Sequence, residues 1–398
     1  MNIIHDDEYD NTTDIISLCG GGLSAVLYST GILYGFHKLG KIIDIKSCAH
    51  KPDFYNNMVF CASSGGIIPL LLLNICIDNK LYCERDDWFE YYIIKPIEKL
   101  DVSVLLRVFP SSLIKSFLIY NRISSSIINE LSTFIKKELS TILPKELLNS
   151  MPLVFRKNKF SYFNFNYIND TSFTDSAELS NDFSYLNNLT LTHQITEIFM
   201  TCCIPIYISY LKDGITNDAA LEINNDILNI QKYKNARNVY YYTLTAYDSN
   251  TNNIHKENIF NISNFTKQQG IITDFKFINM LKSGNPQINF NLISVPNKYY
   301  PICKYYNKIY TELVPYIFFE NDFSFIAKFA ITYSNGTKKI VFLFGLYETL
   351  YILGDKIQHE TVLDNLDESY KNALNNPYHE YFSSVNNLFN QLTKSYMF

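Results

Sequence analysis

Three short clusters in this chain carry residue types suited to acyl transfer. The first is Ala62-Ser63-Ser64-Gly65-Gly66, a serine among small residues, set between the apolar run Met58-Val59-Phe60-Cys61 and a helix-like apolar stretch from Ile67 onward. A serine hydroxyl is a poor nucleophile, so a hydrolase needs it on a tight turn, beside a base, and facing backbone N–H groups that hold the developing oxyanion. The cluster differs by one residue from the G-x-S-x-G nucleophile elbow. A helix starting just after Ser64 would also aim its N-terminal dipole at the reacting oxygen. The second cluster is Gly20-Gly21-Gly22, where the lack of side chains lets the backbone approach a ligand with its N–H groups free, as an oxyanion hole requires. The third is Asp213-Gly214, an aspartate at a tight glycine turn that could reach across to the serine as its base.

Each cluster also has a plainer reading. A glycine run after a strand is commonly a structural turn or a phosphate loop, although no Gly-Lys-Ser/Thr follows here. Ser64 could cap a helix, and Asp213 could close an Asx turn. Ser63 is the neighbouring nucleophile candidate, but Ser64 is the one that combines Gly66 at +2 with the small Ala62 at −2; Asp218 lacks the following glycine of Asp213. A Ser-Asp-His triad would need His255, His359 or His379, none of which lies in a strand-to-loop context, while His193 sits on a helical stretch and reads as structural.

The elements that would position these clusters alternate as a parallel sheet demands. Ile15 to Cys19 reads as a short buried strand running into the triple glycine. Apolar residues at Val26, Leu27, Ile32, Leu33, Phe36 and Leu39 then predict a helix from Ala25 to Leu39, with Gly40 as its stop. Residues Lys41 to Asn57 read as a second strand or a loop insertion. Strand, glycine turn and helix recur at Met58 to Cys61, Ser64 and Ile67 onward, so the expected class is α/β, with a central, mainly parallel sheet flanked by helices. Residues 80 to 150 read as mainly helical, Phe160 to Ile168 as a strand, Thr192 to Cys203 as a helix, and Ile206 to Leu211 and Val239 to Thr245 as strands. Beyond about residue 250 the sequence turns polar and Asn-rich, with strand candidates at Phe325 to Tyr333 and Lys339 to Phe344. The expected division is a catalytic domain over 1–250 and a C-terminal extension over 251–398.

In this order the clusters resemble the patatin-like phospholipases. That family has a glycine-rich oxyanion turn near its N-terminus, a G-x-S-x-G elbow a few tens of residues later, and a D-G-G or D-G-A motif well beyond it. Cys202-Cys203-Ile204-Pro205 is similar to the small-residue and proline segment before the family's aspartate. The resemblance covers roughly residues 14 to 250. It implies a serine lipid acyl hydrolase of the phospholipase A type, with Ser64 as nucleophile, Asp213 as base, and Gly20, Gly21 and Gly22 forming the oxyanion hole. An acyl-enzyme intermediate is implied, with no metal or other cofactor. The sequence departs from the pattern at Ala62, at Ile215, and at Ser24, where some relatives carry arginine. These departures define the alternative, a catalytically weak or inactive patatin-like protein with a structural or interaction role.

Composition narrows the partners. At 47% hydrophobic and 18% charged residues, the 398-residue chain has material for a large core. A net charge of −5 gives no overall field to gather nucleic acid or anionic lipid. The eight cysteines lack paired metal spacing and read as reduced and buried. The acidic, polar stretch Met1 to Asp14 does not read as a secretory signal, and Ile67 to Ile77 is too short to span a bilayer. The expected setting is the cytoplasm, of the source cell or of a host, at the periphery of membranes, with a phospholipid or other acyl-ester lipid as the partner. Val102 to Asn121, apolar with Arg107 and Lys115, is a core helix pair broken at Pro110 in its plainer reading and a membrane-contacting lid in the sharper one. The dyad has a direct test. Asp213→Asn removes the base while hardly changing shape, so ester hydrolysis should be abolished with the circular dichroism spectrum intact; retained activity, together with loss in a His255, His359 or His379 variant, would establish a triad instead.

Overall fold

The structure, a computed structural model, describes residues 13–18, 22–42, 58–100, 125–153, 161–164, 166–169, 188–203, 214–217, 236–243, 289–294, 335–354, 361–362 and 364–375. The segments 43–57, Val102 to Asn121, Ile206 to Leu211 and Phe325 to Tyr333 lie outside these residues.

Five parallel strands form the main sheet: β1 (Thr13–Leu18), β2 (Met58–Ser63), β3 (Ser161–Asn164), β6 (Ala236–Thr243) and β7 (Asn289–Ser294). Their spatial order is β3-β2-β1-β6-β7, which puts β1 at the centre. Ile15, Ile16 and Leu18 are buried, so both pleat faces of β1 are covered, as a parallel strand requires. The aromatic-polar stretch expected to be one strand from Phe160 divides in two. Its first half is β3; its second, β4 (Asn166–Asn169), pairs antiparallel with β5 (Gly214–Asn217) in a separate two-stranded sheet.

Helix α1 (Gly22–Lys38) follows β1. Gly40 ends it at φ +67, with Gly40 N–H donating to His37 O and Lys41 N–H to Phe36 O. This paired arrangement is the Schellman cap, and a glycine fits the left-handed position without strain. After β2, a 3-10 turn (Ser64–Gly66) leads to α2 (Ile67–Asp78), whose residues Ile67 to Cys76 are all buried. A π-helical turn (Glu90–Ile94) and α3 (Lys95–Lys99) follow, then α4 (Ser125–Ile142), α5 (Lys145–Leu148) and α6 (Leu191–Cys203).

The apolar run Lys339 to Phe344, expected as a strand, lies inside α7 (Asn335–Leu353), which is followed by α8 (Glu368–Asn375). The reason is burial. Residues Val341 to Leu350 are all buried, and a helix enclosed on every side carries no 3.6-residue polar rhythm to distinguish it from a buried strand. A second correction concerns the cysteines: Cys76 is buried, and burial pushes its thiol pKa up, but Cys83 is exposed.

One hydrophobic cluster runs from Ile16 and Leu18 through Phe36, Phe60, Leu71, Trp88, Leu139 and Ile195 to Tyr242, Ile293 and Phe344. Strand β7 and helix α7, both beyond residue 250, therefore share the core of the strands and helices before it.

In that core α1 and α7 cross backbone against backbone. A Cβ on Gly31 would stand 1.9 Å from Phe342 O, and one on Gly345 would stand 2.0 Å from Tyr28 O. Both oxygens are backbone atoms, so they can yield only if the helices separate. Gly345→Ala should therefore cost about 3 kcal/mol or more, as overpacking against backbone does. Gly40→Ala, with nothing within 4 Å of its Cβ site, should cost about 1 kcal/mol for its left-handed backbone alone. Urea denaturation of the two variants checks the contrast, and equal losses would contradict the crossing.

Candidate functional site

The candidate site is built on the carboxyl edge of the main sheet. Parallel register pairs Leu18 with Ala62 on one side and with Tyr242 on the other, so β1, β2 and β6 end at the same edge. Ser63 in turn pairs with Asn164, the last residue of β3. Beyond this edge Gly22 opens α1, and Ser64 opens the 3-10 turn directly after β2. The strand runs through Ala62 and Ser63, two residues further than the sequence indicates, so Ala62 is a strand residue with its side chain in the core. The 3-10 turn packs against α1 and α6, with Gly65 and Gly66 buried. Two helices close over this turn of small residues. Gly66 precedes α2 and provides no side-chain cap for its first N–H groups.

The strand order adds a topological argument. From β1 the chain builds outward through β2 to β3, then returns to the other side of β1 with β6 and β7. The order reverses between β1 and β6, and at such a reversal the connections leave in opposite directions and open a crevice at the strands' carboxyl ends.

The other predicted residues are placed in part. Gly20, Gly21 and Asp213 lie outside the described residues. Gly214, next to Asp213, opens β5 and pairs with Asn169 at the far end of β4, while Ile215 pairs with Ile168. Since β4 begins just after β3 leaves the carboxyl edge, the start of β5 is tied to chain that departs from the edge where Ser64 lies.

Of the histidines raised as triad members, His255, His359 and His379 are outside the described residues. His193 is exposed on α6, with Nε2 2.9 Å from Lys136 Nζ and Nδ1 2.7 Å from Thr190 Oγ1. An ammonium only donates, so Nε2 accepts and Nδ1 carries the proton. Both ring nitrogens are thereby occupied at the start of α6. Its neighbour Gln194, fully buried, accepts from Leu153 N–H at 3.0 Å and donates to Leu153 O at 2.9 Å, clamping α6 to the chain after α5. Sequence reading did not single out Gln194, because a lone glutamine on an apolar face has no local signature.

Among the described residues, no group of three or more His, Cys, Asp or Glu side chains could hold a metal ion, and no helix is long and apolar enough to cross a membrane. Comparison with protein-family models, with curated proteins and with solved structures finds no match for this chain.

A second gathering of titratable groups lies at the other end of α1, about 22 Å from Gly22 at a helical rise of 1.5 Å per residue. His37 is buried there, its ring 5.0 Å from Phe89 and stacked on it, and 5.1 Å from Trp88 edge-on. Tyr34 O–H and Lys38 Nζ both donate to Glu90 Oε1 at 2.8 Å. Desolvation, and then the Lys38 charge, lower the His37 pKa to about 4, while Glu90 opposes them. The lowered value means that the unfolded chain, with an ordinary histidine pKa near 6.5, binds more protons than the folded one between those limits. Stability from this group is complete above about pH 6.5 and is lost as pH falls toward 4. Urea unfolding at pH 7 and pH 5 should differ by about 2 kcal/mol from this residue. His37→Phe should flatten that difference, and an unchanged difference in the variant would assign the acid sensitivity elsewhere.

Proposed function

We propose that this chain is a serine lipid acyl hydrolase of the patatin-like kind, on an α/β fold with a central, mainly parallel sheet flanked by helices. The observation that carries the reading is the backbone position of Ser64. It follows β2 directly at the carboxyl edge of the sheet, ahead of α2 and beside the strand that leads into the glycine turn. The reversal of strand order between β1 and β6 supports the same edge as the place for a ligand.

In this reading Asp213 accepts the Ser64 proton as Oγ attacks the ester carbonyl carbon of a phospholipid or related acyl ester. Backbone N–H groups of the Gly20 to Gly22 turn hold the oxyanion. The tetrahedral intermediate collapses, the bond to the leaving alkoxide breaks, and Asp213 returns the proton to it. Water, deprotonated by the same aspartate, then attacks the acyl-enzyme and releases the fatty acid and free Ser64. The chemistry calls for no metal or other cofactor. Its setting would be the cytoplasm of the source cell or of a host, at the periphery of membranes, with no role for nucleic acid; Val102 to Asn121 would meet lipid in its lid reading and join the core as a helix pair in the other.

The rival is a catalytically weak or inactive relative, for which Ile215 in the aspartate motif is the specific ground. Ala62 is a weaker ground, because its methyl group is accommodated in the core. Fluorophosphonate labelling of the intact protein separates the two. The wild-type chain should be modified and Ser64→Ala should not, with hydrolysis of phospholipid vesicles falling by about a thousandfold or more in the variant. A wild-type chain that resists the probe, or a variant that labels equally, would reject the hydrolase in favour of the rival.

A further inference from the structure

The chain from Lys80 to Ile94 has irregular backbone at both ends. Lys80 stands at φ +57, the left-handed region that a side chain makes costly, and leads into a 3-10 turn over Leu81–Cys83. Glu90 to Ile94 form the π-helical turn, a break in the α-helical hydrogen-bond ladder. Between these points, side chains clasp the segment to the last turn of α1. Phe89 stacks on His37 and lies 5.6 Å from the Tyr34 ring, Trp88 meets His37 edge-on, and Glu90 Oε1 accepts from Tyr34 and Lys38. Tyr92 donates to Glu84 and Arg85 to Asp87, bonds that stay inside the segment. The clasp is also incompletely bonded: His37 Nδ1, Trp88 Nε1 and Glu90 Oε2 are buried and have no hydrogen-bond partner among the described residues. Groups of this kind cost stability while closed and recover water on opening.

We infer that Lys80 to Ile94 is an acid-operated flap, hinged at Lys80 and at the π-helical turn and clasped to α1 by the neutral His37 ring. A proton on His37 would place a charge between Trp88 and Phe89, and the ring must reach water to be hydrated. The flap is the side that yields, because α1 is fixed by its backbone crossing with α7. The charges that face the ring are Lys38 on its own helix, which disfavours the proton, and Glu90 on the flap, which favours it. Among the described residues α2 and α7 bring no charge to it; α7 presents Phe342 to the neighbouring Tyr34 at 5.5 Å, and burial and Glu90 keep Tyr34 itself protonated. Burial outweighs the pull of Glu90, so the closed form takes up its proton only near pH 4, whereas an opened flap does so at the ordinary histidine value near 6.5. Opening is therefore favoured as pH falls through that interval. The inference stands apart from the hydrolase reading, since it uses no residue of that site.

Hydrogen exchange of the full chain, read by mass spectrometry at pH 7 and pH 5 and corrected for the intrinsic effect of pH, tests the flap. Protection of Glu84 to Ile94 should fall by about twentyfold between the two, and should lie below that of α7 at both. In His37→Phe, which keeps an aromatic ring and cannot titrate, the segment should lose this fall. His37→Gln, neutral and polar, gives the same reading if His37→Phe folds poorly. Protection of the segment equal to that of α7 at both pH values would mean that it opens only with the whole chain, and overturns the flap. A twentyfold fall that persists in the His37 variants overturns His37 as its trigger.

Discussion

The backbone-to-backbone crossing of α1 and α7 is the constraint on which the other contacts of the core depend. At Gly31 and Gly345 no side chain separates the helices, and each glycine faces a carbonyl oxygen of the other helix. Such proximity brings Cα–H groups against carbonyl oxygens and removes voids that larger side chains would leave. Both helices are enclosed over most of their length. Residues Ala25 to Phe36 and Val341 to Leu350 are buried, so α1 must be covered by the sheet, α2 and α7 together. Moving α7 by the width of one methyl group would disturb every layer that α1 touches.

One charged group enters this interior with partners that offset the loss of water. Lys338, on the first turn of α7, is 4% exposed, and its ammonium donates to Glu98 O and Leu100 O at 2.8 and 2.6 Å. Those carbonyls lie at the end of α3, where the helix dipole is negative and the last C=O groups lack intrahelical partners. Tyr370 of α8 donates to the Glu98 side chain beside it. The C-terminal helices are therefore fixed to the core by two different forces: dispersion at the glycine crossing, and charge-assisted hydrogen bonds at α3. The second is directional and sets the rotation of α7 about its axis, which the first leaves less constrained.

How much of this was legible in the sequence depended on whether the determining contact was local. Strand β1, α1 with its Gly40 stop, β2, α6 and β6 announce themselves through short-range rules: apolar runs, helical spacing and a glycine after the last turn. The backbone setting of Ser64 was readable for the same reason, since strand, small-residue turn and helix follow one another directly. Helix α7 was not readable. Its run Lys338-Lys339-Ile340-Val341-Phe342-Leu343-Phe344 has strand-like composition, and its helical state is decided by packing against α1, some 300 residues earlier in the chain. The division near residue 250 followed from composition alone, and β7 and α7 join the core through pairings that no local pattern records. The cluster around His37 escaped notice likewise, because its members come from α1 and from the turn near Glu90, and neither stretch alone looks like a site.

These two ends of α1 show how one helix can serve opposed demands. At the Gly22 end the preceding residues, Gly20 and Gly21, bring no side chains to the helix. At the His37 end the packing is dense and aromatic, with Trp88, Phe89 and Tyr34 around the ring and a Schellman cap beyond. A helix is stiff over this length, so order established at one end is transmitted to the other. The aromatic end and the glycine crossing at its middle thus fix the direction of a helix whose first residue, Gly22, has no side chain with which to fix it. Packing away from the sheet edge is what allows the residues at that edge to remain small.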